Sequence, residues 1–375
     1  MTNDPQALRQ EQARQFIARS GWSDAEVQTL PGDASSRRYW RLVRGSTSLI
    51  LMDQPRGAES AACPPDASDA ERLRLGYNAV ARLAGPDCRP FAAVAGYLRQ
   101  KGLSAPEIVA HDFDTGFLLI EDLGHGRFAD LILAGQEERP FYEAAIDALA
   151  HLHRHAAPTT LSIPDGGEKH LLAYDALAME AEVRLLIDWF FPAASGNKIS
   201  QDAEAEFTQV WHEALSRFRV ELPVIVLRDY HAENLMWLPD RAGIAKVGQL
   251  DFQDALSGSP AYDLISLTED ARREVGVELA EAMTARYVGL RKSDDRQFDE
   301  TSFRFAAALL ATQRNTKIVG IFARLWKRDG KPRYTQYLPR MWRYLERDLS
   351  HGALGDLKAW FDKHIPQTYR GTLGN

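Results

Sequence analysis

Short apolar runs separated by polar turns fill the first third of the chain, and this pattern predicts mainly β-strands. The runs YWRLV and SLILM, within 30–55, flank the turn signal RGST, which predicts a β-hairpin. Two more strands are expected within 105–124, where the fully apolar run FLLI is typical of a central strand. The spacing of apolar residues predicts helices over 5–19, 69–84 and 90–101.

Helical periodicity dominates the remainder of the chain. It predicts helices over 137–155, 172–191, 202–219, 260–291, 301–326 and 339–363. Short strand-like runs interrupt the helices: VIVL at 224–227, LMWL at 235–238 and IAKVGQL at 244–250. This order of elements predicts an α+β protein with a small N-terminal lobe, a short connector and a larger, mostly helical lobe. A cleft between two lobes is a preferred place for a ligand.

Composition and charge narrow the possible functions. The chain has 375 residues, of which 45% are apolar and 26% charged, as in an ordinary globular protein. The net charge of −7 argues against general nucleic-acid binding, which usually needs a basic surface. The stretch MTNDPQALRQEQARQ lacks the apolar segment of a signal peptide, and no apolar run reaches the roughly 20 residues of a membrane helix. One disulfide between Cys63 and Cys88 is possible, but two thiols in a cytoplasmic, membrane-independent protein are expected.

The stretch VLRDYHAENLMWLP, at 226–239, concentrates polar chemistry between two apolar runs. It contains Asp229 and Asn234, and a second acidic stretch, QLDFQDA, places Asp251 directly after an apolar run. Phosphoryl transfer needs a carboxylate that takes the proton of the acceptor hydroxyl, and carboxylate and amide oxygens that hold Mg²⁺. D-x-x-x-x-N followed by D-F-x is the pattern of these two loops in kinase-like folds. The alternative is two capped turns, where Asp and Asn are common for local hydrogen-bonding reasons.

These stretches, with FLLIEDLG at 117–124 and GQLDFQDALSGSPAYDLISL at 248–267, resemble the aminoglycoside phosphotransferase family, a small-molecule branch of the kinase-like superfamily. Within it the chain is most similar to the bacterial anomeric kinases of N-acetylmuramate and N-acetylglucosamine. That similarity continues through 313–340 and includes GDASSRRYWR at 32–41, so that it covers most of the chain.

The resemblance implies a two-lobed protein-kinase-like α+β fold with an antiparallel sheet in the smaller lobe. It places the N-lobe over 1–120, the hinge over 121–126 and the helical C-lobe over 127–375. The implied function is ATP-dependent phosphorylation of a small-molecule hydroxyl, namely the anomeric hydroxyl of one of these two sugars, in cell-wall recycling. ATP and Mg²⁺ are the implied cofactors, and we expect a monomer.

The resemblance also assigns roles to individual residues. Asp229 would be the general base, and Asn234 and Asp251 would coordinate Mg²⁺. Asp254 would assist the metal or the substrate, and Asp263 would brace the catalytic loop.

The nucleotide would bind to the smaller lobe and the hinge. The backbone of Glu121 to Leu123 would receive the adenine, and the loop 32–38 would cover the phosphates. The candidates in that loop are Gly32, Asp33, Ser35, Ser36, Arg37 and Arg38.

One feature departs from the usual kinase pattern. Most kinases carry a lysine on the third strand that binds the α- and β-phosphates, but this strand reads SLILMD, with Met52 or Asp53 at the expected place. The glutamate that usually partners this lysine is also not evident in RPFAAVAGYLRQ. Either another cation binds the phosphates or the affinity for ATP is poor. We hypothesise that Arg37 or Arg38 replaces the lysine, because a guanidinium can bind phosphate through two hydrogen bonds.

The charge of 313–340 bears on the acceptor. This segment contains eight Lys or Arg residues and one acid, Asp329. If it faces the ligand, it suits a neutral or anionic acceptor, such as a sugar with a lactyl carboxylate, better than a polycationic aminoglycoside. Arg314, Lys317 and Arg324 are the candidate sugar contacts, and a solvated basic helix face is the alternative.

Two further functions stay open at this point. The chain could phosphorylate another small acceptor, such as choline, an aminoglycoside or a different sugar. It could instead be a pseudokinase that binds nucleotide and regulates a partner, an option that the missing lysine keeps open.

The HLHRH stretch, with His151, His153 and His155, could suggest a metal site, but ordinary helix surface is expected.

Overall fold

The structure is a computed structural model that describes residues 5–31, 37–56, 62–164, 166–371 and 373. The phosphate-loop candidates Gly32, Asp33, Ser35 and Ser36 lie outside the described residues. The strands are β1 Glu26–Thr29, β2 Arg38–Arg44, β3 Thr47–Asp53, β4 Ile108–Asp112, β5 Phe117–Glu121, β6 Thr160–Ser162, β7 Glu168–His170, β8 Val224–Val226, β9 Leu235–Trp237, β10 Val247–Gln249 and β11 Leu256–Gly258. The α-helices are α1 Pro5–Arg19, α2 Asp69–Leu75, α3 Tyr77–Val80, α4 Arg89–Gln100, α5 Phe128–Leu133, α6 Arg139–Leu152, α7 Ala176–Val183, α8 Phe191–Ser195, α9 Gln201–Ser216, α10 Ala261–Thr268, α11 Val277–Asp294, α12 Glu300–Lys327, α13 Leu338–Leu349 and α14 Gly355–His364.

The chain divides into two compact units. The first consists of Met1–Ala148, Pro158–Leu172 and Ala232–Ala255, and the second of Leu149–Ala157, Ala173–His231 and Leu256–Asn375. Among the helices of the described ranges, none is both long enough and apolar enough to cross a membrane. The predicted lobe boundaries at 120 and 127 concern the nucleotide hinge and stay a prediction.

An antiparallel five-stranded sheet organises the first unit, in the order β1-β2-β3-β5-β4. Strand β5 has a neighbouring strand on each side, and its first four residues are buried. This position explains its apolar sequence and confirms the prediction of a central strand. Helix α1 covers one face of the sheet, where Phe16 stacks on Phe117 with 5.6 Å between ring centroids. Alternate residues of β2 and β3, Leu42, Leu49 and Leu51, complete this core, and each buried side chain contributes roughly 1.5–3 kcal/mol.

Strands β9 and β10 form a hairpin that also belongs to the first unit. Two glycines allow the backbone to approach closely there. A Cβ on Gly126 would lie 2.4 Å from the Trp237 carbonyl oxygen. The Trp237 amide in turn donates a hydrogen bond to the Gly126 carbonyl at 2.6 Å. A Cβ on Gly248 would lie 2.8 Å from a methyl group of Leu123. Neither position tolerates a larger side chain without displacement of the hairpin.

The second unit is mostly helical and includes the short antiparallel pair β8–β11. Its long helix α12 lies in its interior, and Gly320 marks the closest contact of that helix. A Cβ there would lie 2.3 Å from the Leu185 carbonyl carbon. Leu185 directly precedes a π-helical turn, Leu186–Phe190, a form that is rare and usually short.

Several predicted elements differ from the structure. The helix predicted over 172–191 begins at Ala176 and passes through the π-helical turn into α8, and those predicted over 260–291 and 339–363 are each broken into two. Strands β1, β6, β7 and β11 and helix α5, each three to six residues long, were not predicted. The runs VIVL and LMWL are strands, as predicted, but they belong to separate pairs: β8 pairs with β11 and β9 with β10.

Candidate active site

The predicted catalytic loop, residues 227–231, follows β8 and is held through its backbone. The Asp263 carboxylate, in the first turn of α10, accepts hydrogen bonds from the Leu227 amide at 2.7 Å and the Arg228 amide at 2.8 Å. The Ser266 hydroxyl donates to the Arg228 carbonyl at 3.0 Å. Arg228 has a φ of +70°, which is uncommon for a residue with a side chain and is sustained only by surrounding contacts. The geometry confirms that Asp263 braces this loop.

Asp229 follows this strained residue and is half-buried. Desolvation alone would raise the pKa of the Asp229 carboxyl, but nearby cationic side chains hold that pKa below its ordinary value. His231 exerts the largest of these effects when it is protonated, followed by Lys317 and Arg228. The Asp229 carboxylate is therefore ionised at neutral pH and able to accept a proton.

His231 supports the loop in its neutral form. The side chain is 3% exposed, and its Nε2 lies 3.0 Å from the Arg272 guanidinium, which can only donate. Burial lowers the pKa of His231 to about 4. At neutral pH the permanent charges near Asp229 are consequently those of Lys317, Arg228 and Arg314.

The predicted metal ligands of the first unit are neighbours across a hairpin. In the register of β9 and β10, Gln249 lies opposite Leu235, and the Leu250 amide donates to the Asn234 carbonyl at 2.9 Å. Asn234 therefore lies opposite Leu250, and Asp251 is the next residue along the strand. The hairpin thus places Asn234 and Asp251 at adjacent strand ends, although they are 17 positions apart in the sequence.

Asp251 has the backbone and the polar partners of a functional residue. Its φ is +57°, so that it is one of three described residues other than glycine with a positive φ. Its Oδ1 accepts from Gln253 Nε2 at 3.1 Å and from Arg37 Nη2 at 2.6 Å. The ion pair between the Arg37 guanidinium and this carboxylate shows that the Asp251 side chain is placed to bind a positive charge. Carboxylate and amide oxygens suit Mg²⁺, so the residues present fit that ion.

Alternation along β2 and β3 separates Arg37 from Arg38. Arg38 shares the sheet face of Leu42 and lines a cavity of about 300 Å³ beside α1. Arg37 directly precedes β2 and reaches Asp251, and extending the strand alternation by one residue assigns it to the opposite face. In the third strand, Asp53 is on the α1 side. Met52 therefore occupies the face of Arg37, because successive strand residues point to opposite faces.

The Asp53 carboxylate binds a side chain of α1. The carboxylate is 1% exposed and accepts from Arg9 Nε at 2.9 Å, while the Arg9 guanidinium carbon lies 3.9 Å above the Phe117 ring. Arg9 also donates to the Thr115 carbonyl at 2.7 Å. This carboxylate, one of the two candidates for the usual lysine position, therefore attaches α1 to the sheet.

The predicted hinge joins the sheet to the β9–β10 hairpin. Leu123 packs against Met236 and Leu238, which gives this part of the first unit an apolar surface. Asp122, between the two predicted residues, accepts from Arg41 Nε at 2.6 Å and from the Gly124 amide at 2.9 Å.

Glu121 is fixed by its own carboxylate. It accepts from the Glu107 amide at 3.2 Å and is paired with Arg241, while its own amide donates to the Glu107 carbonyl at 2.9 Å. The carboxylate of Glu121 therefore fixes the start of the hinge.

The remaining candidate residues are held by the protein to different degrees. Asp254 Oδ1 accepts from the Ala84 amide at 2.6 Å. Arg314 is 4% exposed and donates to the Glu269 carbonyl and the Ser266 hydroxyl, both at 3.1 Å, so that it supports the catalytic loop. Arg324 is half-buried in the last turn of α12. Their predicted substrate contacts stay predictions.

Sequence reasoning missed a buried network around Glu182 on α7. Its carboxylate is paired with Arg228 and Lys317 and accepts from Gln313 Nε2 at 3.0 Å. The only sequence signal is a single acid in the apolar face of a helix, within MEAEVRLL. Glu180, two residues earlier, instead lies 3.1 Å from the exposed His212.

The expectation of an exposed HLHRH stretch is wrong for its middle histidine. His153 is 1% exposed, and its Nδ1 lies 2.8 Å from the Tyr287 hydroxyl. Burial lowers the pKa of His153 to about 3. His151 and His155 share one side of the helix end, 5.9 Å apart, which leaves His153 facing inward.

Comparison with protein families identifies the chain. Residues 26–305 match the model of the phosphotransferase enzyme family. The chain belongs to the phosphotransferase enzyme family. Among curated relatives within this family, it is 45% identical over 351 residues to the N-acetylmuramate/N-acetylglucosamine kinase of Caulobacter vibrioides, with 94% of this chain and 95% of that protein covered. The protein of the same name from Pseudomonas aeruginosa is 33% identical, with 92% and 91% covered.

Solved structures confirm the fold. A choline/ethanolamine kinase family protein from Mesorhizobium loti superposes with a TM-score of 0.55 at 13% identity, over 94% of this chain and 98% of that one. A choline kinase from Streptococcus pneumoniae gives the same TM-score and identity, over 93% and 99%. The chain therefore has the predicted two-lobed kinase-like α+β fold.

Proposed function

We propose that the protein is an ATP-dependent sugar kinase that phosphorylates the anomeric hydroxyl of N-acetylmuramate or N-acetylglucosamine, in cell-wall recycling. The observation that carries the proposal is the placement of Asn234 and Asp251 across one hairpin, together with the Arg37 guanidinium that contacts the Asp251 carboxylate. A protein that only binds nucleotide has no need of an ionised Asp229 on a braced loop. The names of the curated relatives supply the two candidate sugars.

Different residues would act on the sugar hydroxyl and on the phosphates. Asp229 would orient the sugar hydroxyl and take its proton, and its lowered pKa keeps the carboxylate ready to do so. Asn234 and Asp251 would hold Mg²⁺, which neutralises the phosphate charges when bound. Leu123 and its apolar neighbours would lie against the adenine, and the backbone of Glu121 to Leu123 would bind it through groups other than the Glu121 amide, which already donates to the Glu107 carbonyl.

Arg37 would replace the missing strand lysine. It lies on the sheet face that Met52 occupies, whereas Arg38 lies on the face of α1. A guanidinium within 2.6 Å of the Asp251 carboxylate needs only a side-chain rotation to contact a phosphate beside that carboxylate. Arg37 would thus leave Asp251 when nucleotide and metal bind.

The acceptor can be tested against the alternatives in one assay. ADP release would be measured with ATP, Mg²⁺ and, separately, N-acetylmuramate, N-acetylglucosamine, choline and kanamycin. The proposal expects ADP release that depends on either sugar. Turnover with choline or kanamycin alone would assign another acceptor, and nucleotide binding without turnover on any acceptor would favour a regulator.

A further inference from the structure

Gln253, two positions after Asp251, has a buried amide side chain with a single polar contact. The side chain is 6% exposed. Its Nε2 donates to Asp251 Oδ1 at 3.1 Å, and this is its only side-chain hydrogen bond within the described ranges of the chain. Its Oε1 is buried and has no hydrogen-bond partner among the described residues. A buried acceptor without a partner is unfavourable, so stability alone does not explain a glutamine at this position.

The residues on either side of Gln253 are anchored to the rest of the first unit. Phe252 is 1% exposed and stacks on Phe91 of α4, with 4.8 Å between the ring centroids. Asp254 Oδ1 accepts a hydrogen bond from the Ala84 amide at 2.6 Å. Because both neighbours are held in this way, the Gln253 amide is presented to Asp251 from a fixed backbone.

The Asp251 carboxylate needs a donor of this kind. The backbone of Asp251 has a φ of +57°, a conformation that persists only where the surrounding structure determines it. The side chain is 26% exposed, so packing alone does not fix its orientation. Carboxylates that bind metal ions are usually oriented by hydrogen bonds from neighbouring residues, and the loss of such a partner weakens metal binding.

Arg37 and Gln253 donate to the same oxygen of Asp251, but they differ in charge. Arg37 Nη2 lies 2.6 Å from Asp251 Oδ1, so its positive charge competes with a metal ion for this carboxylate. The Gln253 amide is neutral, and a carboxylate offers about four acceptor positions. Gln253 can therefore keep its hydrogen bond to Asp251 when a cation binds there.

We propose that Gln253 is a positioning residue that holds the Asp251 carboxylate in the orientation that binds Mg²⁺. This inference rests on the proposed role of Asp251 as a metal ligand. Without the amide donor, the Asp251 side chain has more rotational freedom, and metal binding has to restrict that freedom at a cost in affinity.

Gln253→Met tests this role, because methionine has a similar volume but lacks both the donor and the unpartnered acceptor. Binding of Mn²⁺ to the nucleotide-free protein would be followed by EPR, and the Mg²⁺ dependence of sugar phosphorylation by ADP release. Gln253→Met should bind Mn²⁺ about tenfold more weakly and should need about tenfold more Mg²⁺ for half the maximal rate, with kcat at saturating Mg²⁺ within about threefold of wild type. Its melting temperature should not fall, because a buried oxygen without a partner is removed. Arg37→Ala should change the Mn²⁺ affinity in the opposite direction.

Gln249→Met is the matched control. Gln249 lies in β10, two residues before Asp251, and is 2% exposed. Its Oε1 is also buried without a hydrogen-bond partner in the part of the chain that the structure describes, but no described hydrogen bond joins its side chain to Asp251. Gln249→Met should therefore keep the Mn²⁺ affinity within about twofold of wild type. Asp251→Asn is the reference for the loss of the site itself.

The outcomes separate the positioning role from the proposed metal site. Wild-type Mn²⁺ affinity in Gln253→Met, or an equal loss in Gln249→Met, would overturn the positioning role. Unchanged Mn²⁺ binding in Asp251→Asn would instead overturn the metal site of the proposed function. If Gln253→Met does not fold, Gln253→Asn decides, because its shorter side chain keeps the amide but withdraws it from the carboxylate. Wild-type Mn²⁺ affinity in Gln253→Asn would then remove the inference.

Discussion

Arg37 offers the sharpest test of how this protein binds phosphate without a strand lysine. Its guanidinium is 2.6 Å from the Asp251 carboxylate, and its side chain is 9% exposed, so a substitution removes a charge from a sheltered position. A hydrogen bond to a charged group is worth about 1.5–3 kcal/mol. If Arg37 makes one such bond to the nucleotide phosphates, Arg37→Ala should raise the ATP KM roughly 10- to 100-fold.

Arg38 provides the comparison, because it has the same chemistry on the opposite sheet face. Arg38→Ala should leave the ATP KM within about twofold. Initial rates would be measured over a range of ATP concentrations, with sugar and Mg²⁺ saturating. Arg37→Ala should also bind free Mg²⁺ more tightly than the wild type, because Asp251 no longer has a competing cation.

The reasoning about sheet faces would be refuted by an unchanged ATP KM in Arg37→Ala. A larger rise in Arg38→Ala than in Arg37→Ala would refute it equally. Arg37→Lys should give an intermediate KM, because a lysine keeps the charge but loses the two-pronged contact.

Three further predictions concern the base, the packing and the pH dependence of stability. Asp229→Asn should lower kcat by about 10²–10⁴ while nucleotide affinity, measured by calorimetry, stays near wild type; residual kcat above a tenth would exclude a general base. Gly320→Ala should destabilise the protein by about 1–3 kcal/mol because its methyl group meets the Leu185 backbone. Gly289→Ala, whose methyl group would lie in open space on α11, should stabilise the protein by up to about 1 kcal/mol. Equal melting temperatures of the two variants would contradict the close contact between Gly320 and Leu185. His153 binds a proton less readily when folded than when unfolded, so its own contribution to stability should fall by about 2 kcal/mol between pH 7.5 and pH 5. The non-titrating His153→Gln should change the pH dependence of stability in urea titrations by this amount, even though it is less stable at pH 7.5; a pH dependence unchanged from wild type would show that His153 does not contribute to it.

Much of the fold follows from local patterns in the sequence. The hairpin of β2 and β3 and the buried β5 were predictable because apolar runs of four or five residues are bounded by turn signals. The break between α10 and α11 was not, because residues such as Ala271 and Val275 are buried by tertiary packing and keep the apolar spacing going. Periodicity reports burial, and burial continues where the helix stops.

The candidate site shows the same division between local and distant information. Asn234 and Asp251 were predictable because residue types and spacing follow a known pattern. The choice between Arg37 and Arg38 required the register of the sheet, since neighbouring residues of a strand differ only in the face they occupy. Glu182 was beyond reach, because its partners come from segments up to 135 positions away, and no local pattern marks such a carboxylate.

The position of the phosphate on the product tests the central claim most directly. The sugar product made with ATP and Mg²⁺ would be analysed by ³¹P NMR with coupling to the sugar protons. We expect one phosphate on the anomeric oxygen of N-acetylmuramate or N-acetylglucosamine, formed by the wild type and lost in Asp229→Asn. A phosphate on any other carbon, or a product that Asp229→Asn forms at the wild-type rate, would contradict it.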